Sequence, residues 1–227
     1  MATRRRPGPG SPPAAGPVCE PLRPSDRAEV ARLHAAAFQG EFLSLLGPRA
    51  LERFYGWFAG HGGIGFVARV QGRCVGFAMG WCPAYGWAPR LLRDLKWTLA
   101  AGAIRGLVAH PVAMGGHLWR RRRWVARRLR NRAAQGGPVR SEERRASLDS
   151  IAVAPPWRGT GVARGLLDRF VAEAARRGAT AAMLSVGRGN GRARRFYERE
   201  GWRLLPEERD RPSARYRLDL PGEEHEG

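Results

Sequence analysis

The 227-residue chain contains a single lysine, Lys96, although lysine and arginine together number 40. No lysine stands in the glycine-bearing turn at residues 158–163. This excludes a Walker-type P-loop, whose lysine binds nucleotide phosphates. Cysteine is also scarce. Because Cys19, Cys74 and Cys82 have no metal-ligand spacing, the sequence predicts no metal site and reduced, buried thiols in a cytoplasmic protein.

Long apolar segments are missing as well. The least polar run, residues 99–116, is interrupted by an arginine, a histidine and a proline, and it is too short to span a bilayer. Residues 1–17 are rich in arginine, proline, glycine and alanine without the apolar stretch of a signal peptide, so they predict a disordered tail. The sequence therefore predicts one folded domain over 18–220, followed by a loose acidic tail at 221–227.

Acidic residues are the third shortage, and the formal net charge is +20 at pH 7. Most of the excess lies in residues 84–145, which contain 15 basic and 3 acidic residues. Leucines recur at helical spacing on both sides of a joint at 110–116 that contains glycine and proline. The segment 84–145 is therefore predicted to be a basic helical insertion between two strands.

Within this insertion, arginines and two tryptophans are concentrated in residues 119–132. Three interpretations of this stretch remain open: a solvated helix face, a peripheral contact with the inner face of an anionic membrane, and binding of a polyanion. No DNA- or RNA-binding motif accompanies the stretch, so nucleic acid is the least favoured partner.

Apolar periodicity predicts a mixed α/β protein with the order β-α-α-β-β-insertion-β-α-β-α-β-β. Before the insertion, the pattern predicts a strand at 18–23, a helix from the Pro24–Asp26 cap to about Phe38, a loop at 40–43, a helix at 48–59, and a hairpin at 65–80. After the insertion, it predicts strands at 147–153, 181–186, 202–205 and 214–220, with helices at 163–177 and 190–200.

The most informative local feature is the turn Arg158-Gly159-Thr160-Gly161-Val162-Ala163, between a predicted strand and a predicted helix. Glycines let the backbone turn sharply beside a ligand, and the N–H groups that open the helix point outward at its positive dipole end. The turn therefore predicts a site for a phosphate-bearing ligand. It does not match the dinucleotide fingerprint G-x-G-x-x-G, because the third glycine is misplaced and no strand-end acid follows.

Two motifs together resemble those of the GNAT superfamily of acyl-CoA N-acetyltransferases. The phosphate-loop pattern Q/R-x-x-G-x-G/A is matched by Arg158, Gly161 and Ala163. The downstream pattern N-x-x-A-x-x-F-Y-x-x-x-G-F/W is matched by Asn190, Ala193, Phe196, Tyr197, Gly201 and Trp202. The resemblance implies a GNAT-like mixed, mostly antiparallel central sheet flanked by helices. The insertion has no place in the minimal family fold.

The resemblance also implies acetyl-CoA as the co-substrate and a role for each matched residue. The backbone amides of Arg158, Gly159, Thr160, Gly161, Val162 and Ala163 would hold the pyrophosphate. The strand Ile151, Ala152 and Val153 would pair with the pantetheine arm where it separates from the next strand, and Asn190, Ala193 and Phe196 would line its far end. Tyr197 would act as a general acid on the leaving thiolate.

The general base is less defined. Asp149 is the single acid in the strand before the turn, and strict alternation places it on the face shared by Ile151 and Val153. Glu41, in the predicted loop at 40–43, is a second candidate. Alternative roles remain open: Tyr197 as a packed aromatic side chain, Asp149 as a strand-end hydrogen-bond acceptor, and Glu41 as a solvated loop acid.

The sequence thus predicts an N-acetyltransferase that moves an acetyl group from acetyl-CoA directly to an amine. A small molecule or an amino sugar is the favoured acceptor. Two other classes stay open. One is a non-catalytic sensor that binds acyl-CoA, and the other is an adaptor that binds a membrane or a polyanion through the insertion.

Overall fold

The computed structural model describes residues 16–84, 86–117, 119, 144–206 and 213–221. The predicted tail segments 1–15 and 222–227 lie outside the described residues, as do residues 120–132 of the arginine-rich stretch.

The described residues form a seven-stranded sheet with helices on both faces. The strands are β1 (Val18–Pro21), β2 (Ile64–Val70), β3 (Arg73–Trp81), β4 (Arg145–Val153), β5 (Ala181–Gly187), β6 (Arg203–Leu204) and β7 (Ser213–Asp219). The helices are α1 (Arg27–Ala37), α2 (Phe42–Leu45), α3 (Pro48–Gly60), α4 (Ala88–Ala109), α5 (helical over 111–117), α6 (Val162–Arg176) and α7 (Gly191–Arg199), with short 3-10 turns at Pro24–Asp26 and Pro155–Trp157.

The strand order in the sheet is β1-β2-β3-β4-β5-β7-β6. Every neighbouring pair is antiparallel except β4 and β5, which run parallel because α6 carries the chain from one to the other. The predicted mixed, mostly antiparallel sheet with flanking helices and a helical insertion between the third and fourth strands is confirmed.

Two hydrophobic cores lie on opposite faces of the sheet. On one face, α6 places Val162, Leu166 and Phe170 against the sheet, and Tyr197 of α7 joins the same core. On the other face, α1 and α3 pack their buried side chains against Phe77 of β3. We refer to these as the α6 face and the α1–α3 face.

The insertion packs against α2 and α3 through glycines of α4. A Cβ atom at Gly102 would stand 2.9 Å from the carbonyl oxygen of Leu46, and one at Gly106 would stand 2.6 Å from that of Leu45. The predicted loop at 40–43 is wrong at Phe42 and Leu43, which begin α2. Leu45 and Leu46 are buried beneath the insertion, and a four-residue helix is too short to show periodicity.

Cys19, Cys74 and Cys82 are free thiols, as predicted, but each is half-buried rather than fully buried. None of the helices in the described residues is both long enough and apolar enough to traverse a bilayer.

A β-bulge interrupts the pairing of β3 with β4. Met79 pairs with Ser150 and Gly80 pairs with Leu148, so Asp149 has no partner across the ladder. A Cβ atom at Gly80 would overlap the carbonyl oxygen of Ser147 and would stand 2.8 Å from the ring of Phe170. Glycine at position 80 therefore allows the two strands to approach closely at the bulge.

We expect Gly80→Ala to lower the free energy of unfolding by about 1–3 kcal/mol, because the added methyl group must displace backbone or the Phe170 ring. Gly187→Ala is the matched control, since Gly187 also lies in a strand but has open space around its Cβ position. It should change stability by less than about 0.5 kcal/mol. Urea unfolding of both variants checks this, and equal stabilities would contradict the assigned close approach.

Candidate functional site

The strands β4 and β5 separate halfway along their length. They pair only from Arg145 with Ala181 to Leu148 with Leu184. Beyond that point β4 continues against β3, and β5 continues against β7 up to Gly187. A gap therefore opens between the carboxyl ends of the two parallel strands, which is where ligands commonly bind in sheets of this kind.

The β4 side of the gap presents backbone groups that do not pair with β5. The Ala154 N–H donates to the Val75 carbonyl oxygen at 2.8 Å, toward β3. Because backbone groups alternate in direction along a strand, those of Ile151 and Val153 face the gap and those of Ala152 face β3. Arg158 Nε donates to the Val153 carbonyl oxygen at 3.1 Å, so this side chain braces the strand end. Ile151 and Val153 thus occupy the predicted position, whereas Ala152 points away from the gap.

The glycine turn follows the carboxyl end of β4. Gly159 and Gly161 have φ values of +86° and +87°, a left-handed conformation that other residues adopt at a cost. Open space surrounds the Cβ position of each glycine. Thr160 Oγ1 donates to the Trp157 carbonyl oxygen at 2.8 Å, which stabilises the turn.

Gly161 is the N-cap of α6, and the first intrahelical bond runs from the Gly165 N–H to the Gly161 carbonyl oxygen at 3.0 Å. The amides of Val162, Ala163 and Arg164 precede that bond and have no intrahelical acceptor. These amides point out of a positive helix end beside the gap, which is the geometry that binds phosphate oxygens.

The second motif follows the carboxyl end of β5, on the other side of the gap. The Asn190 side-chain oxygen accepts a hydrogen bond from the Ala193 N–H at 3.1 Å and caps α7. This leaves the Asn190 amide nitrogen to donate elsewhere. Phe196 is half-buried and packs with its ring centroid 5.3 Å from that of Tyr197.

Tyr197 lies in the core of the α6 face, with Trp202 and Tyr216 beside its ring. Burial raises the pKa of its phenol to about 12. The hydroxyl therefore stays protonated at neutral pH and can donate a proton.

Asp149 lies on the opposite face from the predicted one. Leu148 and Val153 both pack into the core of the α6 face although they are an odd number of residues apart, so the bulge reverses the alternation between them. The Ser147 hydroxyl donates a short hydrogen bond to Oδ1 of Asp149, on the α1–α3 face. The prediction that Asp149 shares a face with Ile151 and Val153 is wrong, because strict alternation assumes an unbroken strand.

The Asp149 carboxyl group meets solvent, yet protein surrounds it on its other sides. This enclosure raises its pKa from the usual 3.8 to about 6, and the Ser147 hydrogen bond opposes the shift only in part. A carboxylate with a pKa near neutrality can take up and release a proton under physiological conditions.

A cavity of about 520 Å³ opens over Asp149 on the α1–α3 face, at the start of the gap. Its lining is mostly polar and comes from β4, β5, β7 and the residue that leads into the insertion: Ala84, Arg145, Ser147, Leu148, Asp149, Met183, Leu184, Ser185 and Arg215. A second cavity of about 500 Å³ lies between α3, β2 and α6 and includes none of the residues of the gap.

Sequence reasoning missed four polar residues of the cavity over Asp149: Arg145, Ser147, Ser185 and Arg215. Ser185 and Arg215 pair across β5 and β7, a relation that no local motif reports. Glu41, the second candidate base, is exposed at the start of α2 and is not among the residues that line this cavity.

Three solved structures share this fold. An N-acetyltransferase from Staphylococcus aureus has a TM-score of 0.54 at 14% identity, over 91% of this chain and 100% of that one. One from Thermoplasma acidophilum, in complex with coenzyme A, has a TM-score of 0.52 at 9% identity, over 91% and 100%. A Salmonella typhimurium protein solved with acetyl-CoA has a TM-score of 0.54 at 13% identity, over 93% and 96%.

Sequence comparison adds relatives and a family. Uncharacterized N-acetyltransferases of Mycobacterium bovis and Mycobacterium tuberculosis are 35% identical over 66 residues, which is 29% of this chain and 42% of theirs. The chain thus spans less than half the length of these curated relatives. The model of the acetyltransferase (GNAT) family matches residues 28–202, which is most of the chain. The chain therefore belongs to the GNAT acetyltransferase family.

Proposed function

We propose that this protein transfers the acetyl group of acetyl-CoA directly to the amine of a small polar acceptor. The observation that carries the proposal is the gap between β4 and β5, with the positive end of α6 beside it. The structures of the Thermoplasma acidophilum and Salmonella typhimurium proteins, solved with coenzyme A and acetyl-CoA, support the same donor for this fold.

In the proposed complex, the amides from Arg158 to Ala163 hold the pyrophosphate. The gap-facing backbone groups of Ile151 and Val153 pair with the amides of the pantetheine arm. These hydrogen bonds take the place of those that β5 would form if it continued to pair with β4. The pantetheine arm then lies between the two strands like an added strand. Asn190 can donate through its amide nitrogen near the far end of the arm, where Ala193 and Phe196 line α7.

The proposed acid and base approach the thioester from opposite faces of the sheet. Asp149 takes a proton from the incoming ammonium on the α1–α3 face. The free amine attacks the acetyl carbonyl carbon, the carbon–sulfur bond breaks, and Tyr197 on the α6 face protonates the thiolate. The acetyl group passes straight to nitrogen, so the reaction requires no covalent enzyme intermediate.

The cavity over Asp149 indicates the chemistry of the acceptor. One carboxylate is available for an ammonium group, and hydroxyls of Ser147 and Ser185 can bind polar substituents. Arg215 lies beside Ser185 in the register and brings a positive charge to the far side of the cavity. This lining favours an acceptor that carries both an amine and hydroxyl or anionic groups, such as an amino sugar, over an apolar amine.

Calorimetry with acetyl-CoA, followed by an amine panel with detection of the released thiol, tests the function. The panel contains matched pairs that differ by one anionic group, such as an amino sugar and its phosphate ester. We expect acetyl-CoA to bind and the anionic member of a pair to be preferred. Arg215→Ala should reduce that preference by about tenfold or more, because a charge-assisted hydrogen bond contributes about 1.5–3 kcal/mol. Absence of acetyl-CoA binding would refute the proposed function.

We expect Tyr197→Phe to lower kcat by about 100-fold or more, since a positioned general acid typically contributes 10²–10⁴-fold. Acetyl-CoA affinity should change little, because the ring remains packed. Tyr216→Phe is the matched control: its hydroxyl interacts with Arg194 and Glu198 in the same core. Undiminished turnover in Tyr197→Phe would instead support a packing role for this ring. If the unchanged protein binds acetyl-CoA but acetylates no amine of the panel, a sensor role is supported.

The activity should also depend on the ionisation of Asp149. Because partial enclosure by protein raises the pKa of this carboxyl group to about 6, it is mostly protonated at pH 5 and cannot accept a proton, whereas it is mostly ionised at pH 7. We therefore expect kcat/KM for the acceptor to rise through pH 6 and then level off. The Asp149→Asn variant should lack this rise and retain only the titration of the acceptor amine. If kcat/KM rises near pH 6 to the same extent in the unchanged protein and in Asp149→Asn, Asp149 is excluded as the base.

A further inference from the structure

The α4 helix has apolar residues on two opposite sides. One side contains Leu91, Gly102 and Gly106, which are buried against the body of the protein. Trp97, Ile104 and Val108 recur at helical spacing on the other side, where they are 79%, 66% and 80% exposed. We call the exposed side, with the neighbouring Val112 of α5 at 89% exposure, the outer face of the insertion.

Solvent-exposed apolar residues are ordinary when they are scattered, but these are grouped along one helix. Most exposed large apolar side chains of the described residues belong to the insertion, and the exceptions are Val18 and Leu204. Nothing in the described residues covers the outer face. Exposure of these apolar side chains to water costs free energy, so the outer face is expected to bind a partner surface.

The charges around the outer face restrict the partner. Arg90, Arg93 and Lys96 are exposed on α4, whereas the Arg105 side chain lies beside Gly47 of the domain. Lys96 Nζ lies 5.5 Å from the centroid of the Trp97 ring. The single acid of this helix, Asp94, accepts hydrogen bonds from Trp57 Nε1 at 2.9 Å and from Arg93 Nε at 3.0 Å, so it is directed toward α3 and pairs with one of these cations. The surface thus combines aliphatic and indole side chains with cations.

We propose that the outer face of the insertion docks on the surface of an anionic phospholipid bilayer. A tryptophan next to aliphatic residues suits the boundary between headgroups and acyl chains, and the flanking cations suit anionic headgroups. A second copy of the chain fits less well, because a symmetric contact would bring the same cations against one another. The proposal concerns residues 90–112 and does not require the arginine-rich stretch 119–132.

The test is sedimentation of the full chain with vesicles of phosphatidylcholine alone and of phosphatidylcholine mixed with phosphatidylglycerol. We expect binding to the mixed vesicles only. The double variant Ile104→Ser/Val108→Ser should bind about tenfold more weakly, because two aliphatic side chains no longer enter the boundary region. Leu204→Ser, which changes an exposed leucine far from the insertion in sequence, should bind as the unchanged protein does.

Each alternative gives a distinct result. Failure of the unchanged protein to sediment with mixed vesicles would overturn the proposal. If the double variant sediments with mixed vesicles as much as the unchanged protein does, other basic segments such as 119–132 bind the vesicles. That result would also overturn the proposal. A dimer of the unchanged protein that becomes a monomer in the double variant, seen by sedimentation velocity, would identify a second copy as the occupant. Retained acetyl-CoA binding in the double variant would show that the variant is folded, independently of vesicle binding.

Discussion

The site depends on one constraint: β4 and β5 stop pairing after Leu148 and Leu184. A sheet normally satisfies its backbone groups strand by strand, and an interruption leaves donors and acceptors that need another partner. Here the bulge at Asp149 coincides with the interruption, and Gly80 permits it by making room for the Ser147 carbonyl group. The unpaired edge, the carboxylate and the cavity therefore arise together from a distortion of a single strand.

The same distortion gives the two proposed proton-transfer groups their separate environments. Tyr197 lies in the apolar core of the α6 face, where burial favours the neutral phenol. Asp149 lies on the α1–α3 face and lines a cavity there, where partial enclosure brings its pKa close to neutrality. An uninterrupted strand would have placed Asp149 on the same face as Val153, whose side chain packs in the α6 core. The bulge thus places the proposed proton acceptor and the proposed proton donor on opposite faces of the sheet.

The features that the sequence predicted correctly depend on interactions between residues that are close together in the chain. The glycine turn, the α6 helix and the Asn190 cap each depend on residues within a few positions of one another, and each lies where it was predicted. The face of Asp149 was predicted wrongly because the bulge requires a glycine nearly 70 residues earlier in the chain. Arg215 was missed for a related reason: it reaches the cavity through its register with Ser185. Local patterns therefore predict the proposed donor site, whereas strand pairing assembles the cavity over Asp149.

The insertion and the cavity over Asp149 lie on the same side of the sheet. The α4 helix packs on α2 and α3, which cover the α1–α3 face, and Ala84 just before α4 lines the cavity itself. The buried glycines of α4 bring it close to the domain, so its outer face cannot move far from the cavity without breaking those contacts. A bilayer bound at that outer face would therefore stand near the route by which an acceptor enters. The glycine turn, which is the proposed donor site, lies instead at the end of the sheet where β4 stops. The membrane surface and the proposed reaction are thus related through the acceptor, which no local motif of the sequence predicts.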